Sequence, residues 1–303
     1  TIAEIESLEE QLRKSPNDTN TQLKIVTMLR TEKIRRPDLL VKCGPNLVAK
    51  YRSKLGNNIW DVREQIFTAA LDLHYFPMAR EQLDALVARF PASQRVKVFE
   101  GMMFECQATS STLTAAKAAE EAAKALDIYD FIIEEDPFNA TARKRRVCVQ
   151  KASGTPQDMA GAARSMNDYL DMFPQDHEAW KEMADIYLEQ QQLEHAKKAL
   201  EEVIMLQPVN YANHLKLAEV LYSLDEVVLA RKYYAQSLEL NRESNPRAAV
   251  GMVLCTTAIN AKSKGKSDAV NAKLYNVARQ LLLQTAVSGT SEEKAMQKWL
   301  NAY

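Results

Sequence analysis

The sequence has little glycine, little cysteine, no long apolar run and no excess of charge of one sign. Its 303 residues include only 8 Gly, 10 Pro and 4 Cys, and 39 basic residues nearly balance 40 acidic ones. A net charge of -1 creates no field that attracts a polyanion, so we expect no nucleic-acid partner. The longest apolar run, residues 248–259, is shorter than the roughly 20 residues that cross a bilayer. Any contact with a membrane is therefore expected to be indirect or peripheral.

The cysteines are isolated and form no Cys-x-x-Cys pair. They are Cys43, Cys106, Cys148 and Cys255. This usage favours buried thiols in a reducing compartment, and a disulfide between two of them is the alternative.

Motifs that carry catalysis or hold a cofactor are also lacking. His177 and Glu178 begin a helical zinc motif, but Lys181 stands where the motif needs its second histidine. The Gly265-Lys266-Ser267 stretch lacks the earlier glycine of a phosphate loop, and no Gly-x-Ser-x-Gly elbow occurs. We therefore expect no enzyme activity, no cofactor and no metal.

What the sequence does contain is a module that ends in proline. Pro174 and Pro208 are 34 residues apart. The residues at the signature positions between them are Trp180, Ala184, Tyr187, Ala196 and Leu200. Their spacing follows the 3.6-residue period twice and so indicates two helices, and a 34-residue helical hairpin of this kind is typical of the tetratricopeptide repeat (TPR). The fold class is therefore predicted to be all-α, a TPR superhelical solenoid with helical caps at both ends.

Four further modules can be aligned with this one, which predicts a repeat array over residues 60–242. Capping helices are expected at 1–59 and 243–303, and they lack the repeat signature. Relative to the module of 34, the one between Pro91 and Pro137 carries about twelve additional residues in the stretch 108–123. That stretch is rich in Ala, Lys and Glu, so we expect either a lengthened helical hairpin or a mobile loop.

The first helices of successive modules should line a concave wall, with module positions 2, 5, 9 and 12 facing a partner. The residues at those positions include Glu64, Thr68, Arg95, Val98, Met102, Glu105, Lys144, Cys148, Lys151, Lys181, Asp185, Leu188, Leu215, Glu219 and Tyr222. Their mixture of charged and apolar atoms is typical of a protein-binding groove. The basic run Arg143 to Arg146 is either a solvated face with salt bridges between repeats or a docking site for an acidic segment of a partner.

A stand-alone adaptor for a chaperone or a signalling partner is the alternative function. A chaperone adaptor clamps a terminal carboxylate with Lys at position 5, Asn at position 9 and Asn at position 6 of the next module. Lys144 meets the first requirement, but Cys148 and Glu182 fail the other two. Glu182 would repel the carboxylate, which disfavours the clamp.

Short sequence segments in the repeat region resemble the corresponding segments of a known family, subunit 2 of the endoplasmic reticulum membrane protein complex. They are Ser53 to Trp60 (SKLGNNIW), Phe90-Pro91, Arg95 to Lys97, Gly101-Met102 with Phe104-Glu105, Glu135 to Pro137, Ala142 to Arg145, Tyr169-Leu170, Glu178 to Trp180 and Arg231 to Gln236. They recur in order over residues 53–241, whereas the insertion near residue 108 departs from the pattern.

The resemblance implies a cytosolic scaffold subunit of an insertase that places tail-anchored and multipass proteins into the endoplasmic reticulum membrane. It implies that the chain lies on the cytosolic face of that membrane. The implied partners are the other subunits of the complex, namely the cytosolic segments of membrane subunits and a second soluble subunit.

Overall fold

The computed structural model describes residues 2–51, 55–111, 113–242, 245–262, 269–285 and 291–300. Every regular element within these ranges is an α-helix, which confirms the all-α prediction. No described helix is both long enough and apolar enough to cross a membrane. The chain divides into two compact units between Ser153 and Gly154. The boundaries of the array at 60 and 242 remain a prediction.

The first unit contains eight described helices, each packed mainly on its neighbours in the sequence. They are α1 (Ile2–Lys14), α2 (Thr19–Thr31), α3 (Pro37–Lys50), α4 (Asn58–Asp72), α5 (Phe76–Arg89), α6 (Gln94–Ala108), α7 (Ala115–Glu135) and α8 (Ala140–Ala152). The insertion lengthens the second helix of its hairpin, because α7 is 21 residues long whereas α5 has 14. The structure thus matches the lengthened hairpin rather than the mobile loop.

The second unit contains eight more described helices, also packed in sequence order. They are α9 (Pro156–Met172), α10 (His177–Glu189), α11 (Leu193–Leu206), α12 (Tyr211–Ser223), α13 (Val227–Leu240), α14 (Pro246–Lys262), α15 (Ala269–Thr285) and α16 (Ser291–Leu300). Ala184 and Ala196 are completely buried, as the close approach of two helices at positions 8 and 20 predicts. Trp180 and Tyr187 are half-buried, so part of each ring stays at the surface.

A hydrogen bond to a proline carbonyl explains why Trp180 is kept near the surface. The Trp180 indole Nε1 donates to the Pro174 carbonyl, at 2.9 Å. His214, at the same module position, places its Nε2 2.8 Å from the Pro208 carbonyl. Because a carbonyl oxygen can only accept, the proton lies on this nitrogen. In these two modules the bond joins the turn that precedes the module to its first helix.

The N-terminal helices repeat this turn, which the sequence analysis did not expect. The Gln22 amide Nε2 donates to the Pro16 carbonyl at 2.7 Å, again six residues back. Asp18 caps α2 by accepting from the Asn20 backbone N–H, as Asn210 does for α12 from Ala212. The turn features of the repeat therefore extend to α2, although the signature side chains of positions 4 and 8 do not.

Candidate partner-binding surface

Ion pairs join the first helices of consecutive hairpins in the first unit. Arg95 on α6 makes two bonds to Glu64 on α4, of 3.1 and 2.7 Å. Arg145 on α8 donates to Glu105 on α6 at 3.0 Å. In each pair, side chains that were predicted to contact a partner protein contact each other instead. Each exposed pair contributes at most about 1 kcal/mol, so a competing partner can displace it.

The second unit repeats this pattern on α10, α12 and α14. Asp185 on α10 pairs with Lys216 on α12, and Glu219 on α12 makes two bonds to Arg247 on α14, of 2.9 and 2.8 Å. These pairs link successive first helices as the pairs of the first unit do, and each contributes at most about 1 kcal/mol.

The predicted role of Arg143 in docking is wrong. Its side chain is buried, and its Nε donates to the Pro137 carbonyl at 2.6 Å. It therefore makes the bond that Trp180 makes in its own module. Its neighbours Arg145 and Arg146 pair with Glu105 and Asp130, the latter at 2.8 Å. This matches the salt bridges between repeats that were the alternative interpretation of the basic run.

The other predicted residues differ in how accessible they are. Val98 is buried and cannot contact a partner. Met102, Lys144, Lys151, Lys181, Leu188, Leu215 and Tyr222 are half-buried. Half-burial leaves part of each side chain at the surface, so these residues combine cationic and apolar contact area on the first helices. They are the residues of the predicted set that best fit a protein interface.

Burial lowers the reactivity of two of the four thiols. Cys43 and Cys255 are buried, and burial raises the pKa of Cys43 to about 11 and that of Cys255 to about 12. Both thiols are therefore protonated at neutral pH and are poor nucleophiles. Cys148 is exposed, so the expectation of a buried thiol is wrong there. Among the described residues, no group of three or more His, Cys, Asp or Glu could hold a metal ion.

The sequence analysis missed a basic turn between α2 and α3. Lys33, Arg35 and Arg36 line one cavity with Asp72 of α4. The Arg35 Nε bonds Asp72 at 2.9 Å, whereas Arg36 pairs with Glu9 and Asp38. The signal was present in the sequence as a short basic run before Pro37. It was overlooked because residues 1–59 were predicted to be capping helices.

The amino-acid sequence of the chain is similar to those of known proteins. A family model described as "EMC2 TPR-like repeat domain" matches residues 99–240. ER membrane protein complex subunit 2 of Xenopus tropicalis is 38% identical over 251 residues, which are 80% of this chain and 78% of that protein. Subunit 2 of Dictyostelium discoideum is 31% identical over 245 residues, covering 78% of this chain and 71% of that protein.

Solved structures share the fold. The C-terminal part of a TPR repeat-containing protein from Cytophaga hutchinsonii matches with a TM-score of 0.57 and 12% identity. The match covers 96% of this chain and 98% of that one. At such low identity the likeness concerns the fold alone, and it agrees with the predicted TPR class.

Proposed function

Since this chain belongs to the family of ER membrane protein complex subunit 2, we propose that it is a non-catalytic scaffold subunit of that complex. It lies on the cytosolic face of the endoplasmic reticulum membrane and supports the insertion of transmembrane segments, including those of tail-anchored and multipass proteins. The observation that carries this proposal is the 38% identity to a protein of that name over four fifths of the chain.

The geometry supports a scaffold because its contact residues are distributed over many helices. Lys181 on α10 and Leu215 and Tyr222 on α12 are each partly accessible. Ion pairs link the first helices of successive modules. Cytosolic segments of membrane subunits and a second soluble subunit could therefore dock on different modules at once, each through a cationic and apolar surface.

The proposal is tested by affinity purification of the tagged chain from membranes dissolved in mild detergent. We expect a set of membrane proteins that is recovered in constant ratio with the chain, whatever the expression level of the tag. Recovery of a single soluble client and no membrane protein would favour the stand-alone adaptor. A purified chain that turned over a substrate would contradict the non-catalytic assignment.

The same purification tests the predicted groove. Lys181→Glu and Lys144→Glu reverse charges at half-buried positions of the first helices, and we expect the recovered membrane proteins to fall about tenfold, since like charge at an interface is repulsive. Lys198→Glu and Lys117→Glu make the same change at exposed positions of second helices and serve as matched controls. Equal recovery of membrane proteins with all four variants would show that the groove is not part of the interface.

A further inference from the structure

A cleft in the second unit lies among helices α13, α14 and α15, and we call it the α13–α15 cleft. Its volume is about 500 Å³, which is within the usual range for small-molecule sites. The lining residues are Ala235, Leu238, Glu239, Arg242, Met252, Leu274, Val277 and Leu281. The lining includes none of the residues that were predicted to contact a partner protein. Its function is therefore a separate question from that of the first-helix groove.

Apolar side chains make up most of the α13–α15 cleft. Leu238 and Met252 are its buried members, Leu274 and Leu281 are half-buried, and Val277 is 41% exposed. The three residues from α15 recur at i, i+3 and i+7, so they lie on one face of that helix. This face contributes an apolar wall that is accessible from solvent.

Other side chains anchor α15, so the wall is not needed for that purpose. Ala278 and Leu282 of α15 are completely buried. The Asn271 amide donates to the Thr256 carbonyl of α14 at 2.8 Å, and it accepts from the Arg231 guanidinium of α13 at 2.9 Å. These contacts fix α15 on both neighbouring helices. The side chains that line the cleft therefore remain available to a ligand.

The charged residues of the lining are one pair of opposite sign at the C-terminal end of α13. Glu239 lies in the last turn of that helix, and Arg242 lies two residues beyond its end. Both are exposed, and within the described ranges neither side chain forms an ion pair or a hydrogen bond. An unpaired carboxylate and an unpaired guanidinium thus stand beside an apolar chamber. A ligand with both signs of charge at one end of an apolar body complements this arrangement.

The volume of the cleft favours a single alkyl chain as that apolar body. A water molecule takes about 30 Å³ in the liquid and a methylene group is of similar size, so roughly sixteen such groups fill 500 Å³. That is one acyl chain rather than the two of a bilayer phospholipid. A partner helix is about 10 Å across with its side chains, so the same volume holds only about one turn of it.

We propose that the α13–α15 cleft binds a single-chain zwitterionic amphiphile, of the class of lysophospholipids with a phosphocholine or phosphoethanolamine head. The alkyl chain lies against Leu274, Val277 and Leu281. The phosphate pairs with Arg242, and the positively charged nitrogen lies beside Glu239. Burial of the chain supplies the affinity, and the charged pair sets its direction. This inference goes beyond the proposed scaffold role and does not depend on it.

The test titrates the purified full chain with dodecylphosphocholine below its critical micelle concentration, followed by isothermal titration calorimetry. We expect saturable binding of one molecule per chain. Affinity should rise up to about fourfold with each methylene from octyl- to dodecylphosphocholine, because a buried methylene contributes about 0.8 kcal/mol. Phosphocholine without an alkyl chain should not bind. Dodecyltrimethylammonium and laurate, which each carry one charge, should bind about threefold more weakly, as the loss of one exposed ion pair requires.

Variants of the chain locate the site. Val277→Asn places an amide in the apolar wall and should weaken binding of dodecylphosphocholine about tenfold. Val228→Asn makes the same change at an exposed position of α13 outside the cleft and should leave binding unchanged. Arg242→Gln should weaken binding about threefold, whereas Lys232→Gln, at an exposed position of α13, should not. Circular dichroism of each variant verifies that the helices remain folded.

The wild-type chain alone can refute the proposal, since no saturable binding of dodecylphosphocholine, or binding that ignores chain length, would exclude an apolar ligand chamber. Equal loss in Val277→Asn and Val228→Asn would place the amphiphile elsewhere on the chain. Binding of phosphatidylcholine vesicles without binding of dodecylphosphocholine would assign the surface to a bilayer. Binding of a helical Leu-Lys peptide in its place, lost in Val277→Asn, would assign the cleft to a partner protein.

Discussion

Tyr129→Ala is expected to lower the free energy of unfolding of the first unit by about 3 to 5 kcal/mol, because it removes a large buried ring and leaves a cavity. The ring is completely buried among α6, α7 and α8. Its hydroxyl donates to Glu105 at 2.9 Å, and burial together with this carboxylate raises the pKa of Tyr129 far above its usual value. The hydroxyl therefore stays protonated and donates.

Tyr129→Phe is the matched control. It keeps the ring and removes one hydrogen bond, so we expect a loss of about 1 kcal/mol. Glu105 keeps its bond to Arg145 in this variant. Urea denaturation followed by helical circular dichroism measures both changes. If Tyr129→Ala unfolded at the same urea concentration as the wild type, the assigned packing of the lengthened hairpin would be wrong.

Gly251→Ala is expected to destabilise the second unit by about 1 to 3 kcal/mol through overpacking. A Cβ at this position would lie 2.2 Å from Cζ and 2.3 Å from Cε1 of Tyr234. The tyrosine is almost completely buried and belongs to the adjoining helix α13. Where no neighbouring side chain crowds the glycine, Gly→Ala stabilises a helix by about 1 kcal/mol. A loss of stability in Gly251→Ala therefore indicates crowding by Tyr234.

The double variant Gly251→Ala with Tyr234→Ala tests the cause. Once the ring is removed, the added methyl has room, and Gly251→Ala should become neutral or stabilising relative to Tyr234→Ala alone. The interaction free energy from this double-mutant cycle should be about 1 to 3 kcal/mol. Additive effects would show that Gly251 is required for a reason other than its contact with Tyr234.

Sequence patterns predicted the helices best where repeat positions are filled by apolar or small residues. Ala184, Ala196 and Leu200 are buried as their spacing requires. Spacing alone does not show that Trp180 is only half-buried. Its indole N–H needs an acceptor and donates to the Pro174 carbonyl in the turn.

Arg143 shows why charged residues were the hardest to place. In the sequence it stands in a run of four basic residues and suggests an exposed face. In the structure it occupies the position of Trp180 in its module and makes the corresponding bond to Pro137. The proline carbonyl in the turn accepts a hydrogen bond, and either an arginine or a tryptophan side chain can donate it. The spacing from Pro137 already aligns Arg143 with Trp180, but only the structure shows that both side chains bond a proline carbonyl.

Pairing between modules could not be predicted residue by residue. The sequence places Glu64, Arg95 and Glu219 on first helices, but their partners depend on the rotation of each helix and on side-chain rotamers. The cavity beside Lys33 was missed for a related reason, because it forms only where α4 packs beside the turn. Local periodicity contains no information about such neighbours.

The most direct test of the scaffold assignment is the native mass of the particle that contains this chain after extraction from membranes in mild detergent. The chain alone has a mass of 34.2 kDa. We expect one particle of several times that mass, in which the chain and membrane proteins occur in fixed ratio. A chain that migrates only at its own mass, with no membrane protein bound, would contradict the account.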